Sequence, residues 1–204
     1  MKIIGLTGPS GAGKSYICTR LAKEGIPNIN ADHVYHNLLI PPSPCLDAIA
    51  EYFGNGIINS DGSLDRPALA SIVFADGAEE KREMLNKITH RFVIEKMLSL
   101  IEKYSKGDAS AIIADVPLLF ESDFHKKCDL TVAVISDRQI RIDRIMKRDG
   151  IDYASALARI SSQKPDEFYI SRADVTVYNN SDGDSMESEI KKITDMIRGL
   201  KNDT

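Results

Sequence analysis

Gly8-Pro9-Ser10-Gly11-Ala12-Gly13-Lys14-Ser15 fits the pattern G-x-x-x-x-G-K-[ST] at every defined position. The apolar run Lys2 to Thr7 before it predicts a strand, and Ile17, Leu21 and Ala22 after it recur at helical spacing over Ser15 to Lys23. Strand, glycine-rich turn and helix in that order make a phosphate cradle. The glycines let successive N–H groups curl toward an anion, and the helix start adds roughly half a positive charge on the same side. Lys14 supplies a point charge for the β- and γ-phosphates, and the Ser15 hydroxyl is placed to ligate Mg²⁺. Nucleotide binding follows, but the reaction does not, because switches, motors, helicases and kinases share this loop.

Working outward, Gly25 stands where a helix C-cap residue would, and Ile26 to Ile29 reads as a second short strand that finishes before Asp32. From His33 to about Gly107 the pattern is helical with irregular joints at Pro41-Pro42-Ser43-Pro44 and Gly54 to Gly62, an inserted helical region. Within it, Leu85, Ile88, Phe92, Ile94, Met97, Leu98 and Ile101 predict one long amphipathic helix over Glu79 to Tyr104, a packing surface. Ala111 to Ala114 and Leu130 to Ile135 suit strands buried on both faces, and Val175 to Val177 is a fifth candidate. A charged helical stretch runs from Asp137 to Gln163, and Asp184 to Leu200 closes the chain as a helix. Strands alternating with helices predict an α/β architecture with a parallel sheet.

The chain has 204 residues and is 43% apolar, enough for one good-sized core and one domain with insertions. Its 26 Lys and Arg against 30 Asp and Glu leave a net charge of −4, which excludes a general nucleic-acid binder. Any anion site is therefore local. The opening apolar run is too short for a signal peptide or membrane span, so a cytoplasmic protein is expected. Cys18, Cys45 and Cys128 show no metal-ligand spacing and read as reduced structural thiols.

The nucleotide-binding classes sort by what is missing. The base-reading N-K-x-D of a GTPase has one near match, Asn86-Lys87-Ile88-Thr89, which lacks the Asp and lies inside the long predicted helix. A helicase needs more chain and a basic track. A compact phosphotransferase remains, and it must hold an acceptor hydroxyl in line with the γ-phosphate. Asp32 follows the second predicted strand at its carboxyl end, where ligands bind in open α/β sheets. It suits a general base, worth about 10²- to 10⁴-fold in rate, or an N-cap for a helix starting at His33, and the roles are compatible. Asp115 ends a hydrophobic strand and suits either a carboxylate that holds Mg²⁺ directly or through water, or a strand-end turn residue before Pro117. Arg141, Arg144 and Arg148 fall at three- and four-residue steps along one stripe, fit for polyphosphate or for an exposed charged face.

Gly5-Leu6-Thr7-Gly8 through Ser15, followed by Asn30-Ala31-Asp32, resembles the opening of the dephospho-CoA kinase family. Phe53-Gly54, Asp61 to Arg66, Leu69, Val73-Phe74, Leu85-Asn86 and His90 are similar to its middle section in order and spacing. Asp115-Val116-Pro117-Leu118-Leu119-Phe120-Glu121 is the most family-specific stretch. Gln139 to Arg148, Arg159 with Gln163, Ala173-Asp174 and Asn179-Asn180 resemble the lid and adenine-side loop, so the likeness spans nearly the whole chain. Arg91, where proline commonly follows the histidine, and Pro9-Ser10, where glycine and isoleucine are usual, depart from the pattern.

The resemblance implies a three-layer P-loop kinase fold with a parallel five-stranded sheet, a helical substrate-binding insertion and a small helical lid. The core would take about 1–32, 108–136 and 172–204, the CoA-binding insertion about 33–107 and the lid about 137–171. It implies ATP and Mg²⁺ as cofactors and dephospho-CoA as acceptor, phosphorylated on its ribose 3′-hydroxyl to give CoA. No nucleic acid or membrane partner is expected, and a monomer or small homo-oligomer is. Asp32, Lys14 and Arg144 would act in catalysis, and Gly8, Gly11, Ala12, Gly13, Lys14, Ser15, Tyr16, Arg144, Arg148 and Asn179 would hold the nucleotide. Thr7 would sit beside the phosphates. Together with Asp32, the residues Arg66, His90, Pro117, Leu118, Leu119 and Glu121 would hold the acceptor, and Ser15 and Asp115 the metal. A histidine among apolar helix positions, as His90 is, is more often a packing residue. Arg66 equally suits a cap or a surface pair with Asp61 or Asp65. Two rival readings stand beside this one: a small-metabolite kinase acting on a nucleoside monophosphate or sugar acid, against which Asp115 to Glu121 argues, and a nucleotide-dependent regulatory module.

Overall fold

The run Lys2–Thr7 forms β1, whose last four residues are buried because a strand lies on each side. A computed structural model describes residues 1–180 and 184–200, so the expected core range at 181–183 and 201–204 lies outside the described residues. β1 pairs in parallel with β3 (Ala111–Asp115), setting Leu6 opposite Asp115, and with β4 (Leu130–Ile135), setting Leu6 opposite Val132. β5 (Val175–Tyr178) continues the sheet in parallel from β4, and β2 (Asn28–Asn30) lies beyond β3, giving the order β2-β3-β1-β4-β5.

Alternation along the strands divides the core. Val132 and Val134 face one side with Ile4, Leu6 and Ile113, where they pack with Ile17 and Leu21 of α1 (Lys14–Lys23) and Ile190, Ile193 and Ile197 of α9 (Asp184–Gly199). Ala133 and Ile135 face the other side and meet Tyr169 of α8 (Asp166–Ile170). Helices thus cover both faces, the three-layer α/β arrangement. Each fully buried Ile or Leu here contributes about 1.5–3 kcal/mol, and a polar replacement at Ile113 would open the layer shared with α1.

Two units emerge from the contacts within the chain, residues 1–29 with 103–204 and residues 30–102. The second unit has its own core of Leu39, Cys45, Ile49, Ile57, Leu69 and Val73, onto which Leu85, Ile88 and Phe92 pack. It contains α2 (Ala31–Leu38), α3 (Pro44–Phe53), α4 (Arg66–Val73) and most of α5 (Glu79–Ser105). Their starts are set by side-chain caps: Ser43 accepts from the Leu46 amide at 3.1 Å and Asp65 from the Ala68 amide at 2.9 Å, each with proline in the first turn.

Three local expectations change. The second strand is Asn28–Asn30 rather than Ile26 to Ile29, because Ile26 closes α1: its amide bonds to Leu21 O and that of Gly25 to Ala22 O, a Schellman ending with Gly25 at φ 79°. The charged stretch Asp137 to Gln163 is two helices, α6 (Arg138–Asp149) and α7 (Tyr153–Ser161), parted by Gly150 at φ 66° and restarted by Asp152 capping Ser155. The short α8 that follows Pro165 has too few residues to show a period.

Candidate active site

Gly8 and Gly13 shape the phosphate loop. Gly8 has φ 138°, and a Cβ there would run into the carbonyl of Val134 in β4; Gly13 has φ 95°, and its Cβ would strike the Asn179 amide. Only glycine fits either place. Gly13 is the N-cap of α1 and brings no side chain to it, and the first turn of that helix holds no acidic residue. Lys14 Nζ donates to the Gly8 carbonyl at 2.7 Å, which holds the ammonium over the loop. Ser15 and Tyr16 are exposed in the first turn. Ala12 is buried and turns its amide back to the Pro9 carbonyl at 3.3 Å, which helps to shape the loop.

Arg144 of α6 reaches the same loop. Its Nη1 donates to Gly11 O at 3.4 Å, Ser136 Oγ at 3.2 Å and Asn179 O at 3.1 Å, and its Nη2 donates to Asn179 Oδ1 at 3.3 Å. Asn179, 4% exposed, gives its own amide to Ala12 O at 2.8 Å. Its bonds to Arg144 and Ala12 make it a brace between the end of β5 and the loop. Arg141 is 4% exposed and so leaves the stripe of solvent-facing arginines. Arg148, also expected at the nucleotide, forks onto the neighbouring Asp149 at 2.7 and 2.9 Å, and Arg159 joins the same carboxylate. That hydrogen bonding lowers the Asp149 pKa from 3.8 to about 2.

At the end of β3, Asp115 is 3% exposed beside Leu6 of the central strand. Cys18 of α1 reports the surroundings: burial lifts its pKa from 9.0 to about 12, Asp115 pushes it the same way and Lys14 opposes. A carboxylate and an ammonium thus act on the first turns of α1 together. Thr7 is buried and its hydroxyl donates to the Pro117 carbonyl at 3.1 Å, which anchors the segment after β3. In that segment Leu118 and Glu121 are exposed and Pro117 is half-buried. Leu119 is fully buried, its methyls at 3.0 and 3.1 Å from where a Gly5 Cβ would be, so its side chain packs against the strand.

Three expected residues lie in the unit 30–102. Asn30, not Asp32, caps α2, accepting from the His33 amide at 2.9 Å; Asp32 is the second helical residue and is exposed. This removes the capping alternative for Asp32. Arg66 begins α4, and its Nη2 meets His36 Nδ1 at 3.3 Å. Neither Asp61 nor Asp65 takes it, because Asp61 bonds to Ser63 and Asp65 caps Ala68. His90 is half-buried within α5.

Sequence reasoning missed Ser136, Asp166 and the bracing role of Asn179. The signal available was weak: small polar residues at strand ends and helix starts, whose partners lie elsewhere in the chain.

A glycine loop joining the central parallel strand to a helix, with Lys14 and Arg144 both bonded to that loop, defines a P-loop protein. The family model for dephospho-CoA kinase matches residues 2–185, and the chain belongs to that family of ATP-dependent phosphotransferases. It is 39% identical to the dephospho-CoA kinase of Bacillus cereus over 187 residues, 92% of each chain. A crystal structure from Thermus thermophilus is similar with a TM-score of 0.78 at 28% identity, covering 96% of this chain and 97% of that one. The dephospho-CoA kinase structure from Campylobacter jejuni is similar with a TM-score of 0.69 at 25% identity, covering 97% and 98%. Among the described residues no helix is long and apolar enough to cross a membrane.

Proposed function

We propose that this chain moves the γ-phosphate of ATP onto the ribose 3′-hydroxyl of dephospho-CoA, giving CoA and ADP, with Asp32 as the base that receives the hydroxyl proton. The observation that carries the reading is the pair of cations on one loop, Lys14 at Gly8 O and Arg144 at Gly11 O. A transferring phosphoryl group spreads charge over its equatorial oxygens, and fixed cations at the donor's tail lower that barrier electrostatically. Lys14 exchanges a carbonyl for the β- and γ-phosphates when ATP binds. Arg144, already tied to the loop, keeps its guanidinium from reorganising during transfer.

Asp32 takes the proton because it is exposed, follows directly on β2 and is freed from capping by Asn30. Within unit 30–102, Arg66 and His90 are acceptor-binding residues; in the segment after β3, exposed Leu118 and Glu121 are assigned the same duty. The helical segment at about 137–171 is the lid, which excludes water that would otherwise hydrolyse ATP.

The residues fit Mg²⁺. One buried carboxylate, Asp115, acting electrostatically on the same helix turn as Lys14, and one exposed hydroxyl, Ser15, make a donor set suited to a hard ion that keeps waters and phosphate oxygens as its other ligands. When bound, the ion supplies charge neutralisation on the β- and γ-phosphates.

The test is a coupled ADP-release assay with Mg-ATP and, separately, dephospho-CoA, nucleoside monophosphates and sugar acids. Turnover with dephospho-CoA is expected. Turnover with one of the others and none with dephospho-CoA overturns the acceptor, and slow hydrolysis unaffected by any acceptor overturns the transfer.

A further inference from the structure

We infer that Arg141, with Gln163 and Asp166, is a positioning residue that presets the tip of the phosphate loop at Ser10. Both backbone groups of Ser10 are taken by this cluster: its amide donates to Gln163 Oε1 at 3.1 Å, and its carbonyl accepts from Arg141 Nε at 3.0 Å. Arg141 Nη2 donates to the same Gln163 oxygen at 3.1 Å, and Nη1 to Asp166 Oδ1 at 3.0 Å. The three contacts close a ring through Ser10, Arg141 and Gln163. Two donors on one oxygen also settle the Gln163 amide orientation, since a flipped amide would set its NH₂ against both.

A guanidinium only 4% exposed is an expensive way to hold one backbone carbonyl. Desolvation weighs on it, and the Asp166 carboxylate compensates. What the arrangement secures is geometry. Arg141's fork binds three acceptors in fixed directions, which a lysine cannot do. Its backbone lies equally close to the loop, for a Cβ on Gly11 would meet the Arg141 carbonyl at 2.7 Å. The residues after Ser10 carry the amides and the lysine that receive phosphate, so an error at the tip is passed into the whole cradle. The Arg141 guanidinium is taken up by Ser10 O, Gln163 and Asp166, so it acts through the loop.

The gap between α7 and α8, where Gln163 lies, therefore sets the shape of the loop, which ties the second half of the helical segment 138–171 to the donor site. This rests on the reading of Gly8 to Ser15 as the ATP loop.

Steady-state kinetics on the full chain test it. Arg141→Gln and Gln163→Leu are each expected to raise the ATP KM about tenfold, the size of one charge-assisted hydrogen bond lost, while the dephospho-CoA KM stays within twofold. Arg141→Lys restores only part of the loss. Lys147→Ala, an exposed residue on the same helix, leaves both constants unchanged. A merely structural role would lower the active fraction and the melting temperature while leaving both KM values alone, and that result overturns the inference. Should Arg141→Gln fail to fold, Gln163→Leu decides, because it removes the Ser10 acceptor and keeps the arginine. Wild-type protein inactive on dephospho-CoA would instead sink the proposed function, and ATP-induced stabilisation measured by calorimetry would still read the loop.

Discussion

The Asn179 side-chain amide donates to the Ala12 carbonyl at 2.8 Å, joining the end of the last strand to the phosphate loop across 167 residues of chain. Replacing Asn179 with Ala strands that buried carbonyl and releases Arg144 Nη2 as well. The expected loss is about 1–3 kcal/mol, or about 2–4 °C in melting temperature per kcal/mol. Turnover falls with it because the loop loses its brace at Ala12 and Arg144 keeps only its Nη1 bonds. Scanning calorimetry beside the coupled assay checks both; an unchanged melting temperature would show that the brace carries no strain-bearing contact.

Asp32→Asn isolates the base. Since Asn30 caps α2, the substitution leaves the helix start intact and removes only one first-turn charge, worth about 0.3–1 kcal/mol. kcat is expected to drop about 10²- to 10⁴-fold with the ATP KM unchanged. Normal turnover in this variant rules Asp32 out as the proton acceptor.

Acid stability has a marker in Asp149, whose pKa is depressed from 3.8 to about 2 first by its bond to Arg148. A depressed carboxylate contributes stability above its unfolded value and loses it as pH falls through the folded one. The contribution is therefore complete above about pH 4 and fades toward pH 2, and it is small because the group is exposed. Asp149→Asn should flatten that part of a melting-temperature profile taken from pH 2 to pH 5, and added salt should shrink the difference between the two proteins.

The thiols should be quiet. Burial raises Cys18 and Cys128 from 9.0 to about 12 and Cys45 to about 11. Three units mean on the order of 10³-fold less thiolate at neutral pH than a free cysteine has. Mass spectrometry after maleimide treatment at pH 7.5 should find the native chain largely unlabelled and the chain in guanidinium labelled at all three; rapid native labelling of Cys18 would contradict its burial.

Much of the fold was legible because its causes are local. Lys2–Thr7 and Leu130–Ile135 came out as strands with unchanged bounds, since apolar runs of that length flanked by glycine or charge have few other uses. The long helix ended one residue later than its apolar spacing suggested. Where the reading slipped, a single backbone group decided. Ile26 reads as strand by sequence but its amide closes α1, and Asp137 to Gln163 reads as one helical stretch but the left-handed φ of 66° at Gly150 divides it.

The site divides differently. Gly8 to Ser15 announced itself, since curling a backbone around phosphate needs glycines at set spacing and a lysine beyond them, all within eight consecutive residues. Which polar side chains face ligand and which hold the protein could not be read that way. Thr7 bonds to Pro117, Arg141 to Ser10 and Asn179 to Ala12, partners 110, 131 and 167 positions away. By itself the sequence determined the phosphate loop, the alternating strands and the family. Only the tertiary structure decided the partners of Thr7, Arg141 and Asn179 and the burial of Leu119, because a contact is chosen by proximity in space, which chain order does not encode for a parallel sheet built from distant strands.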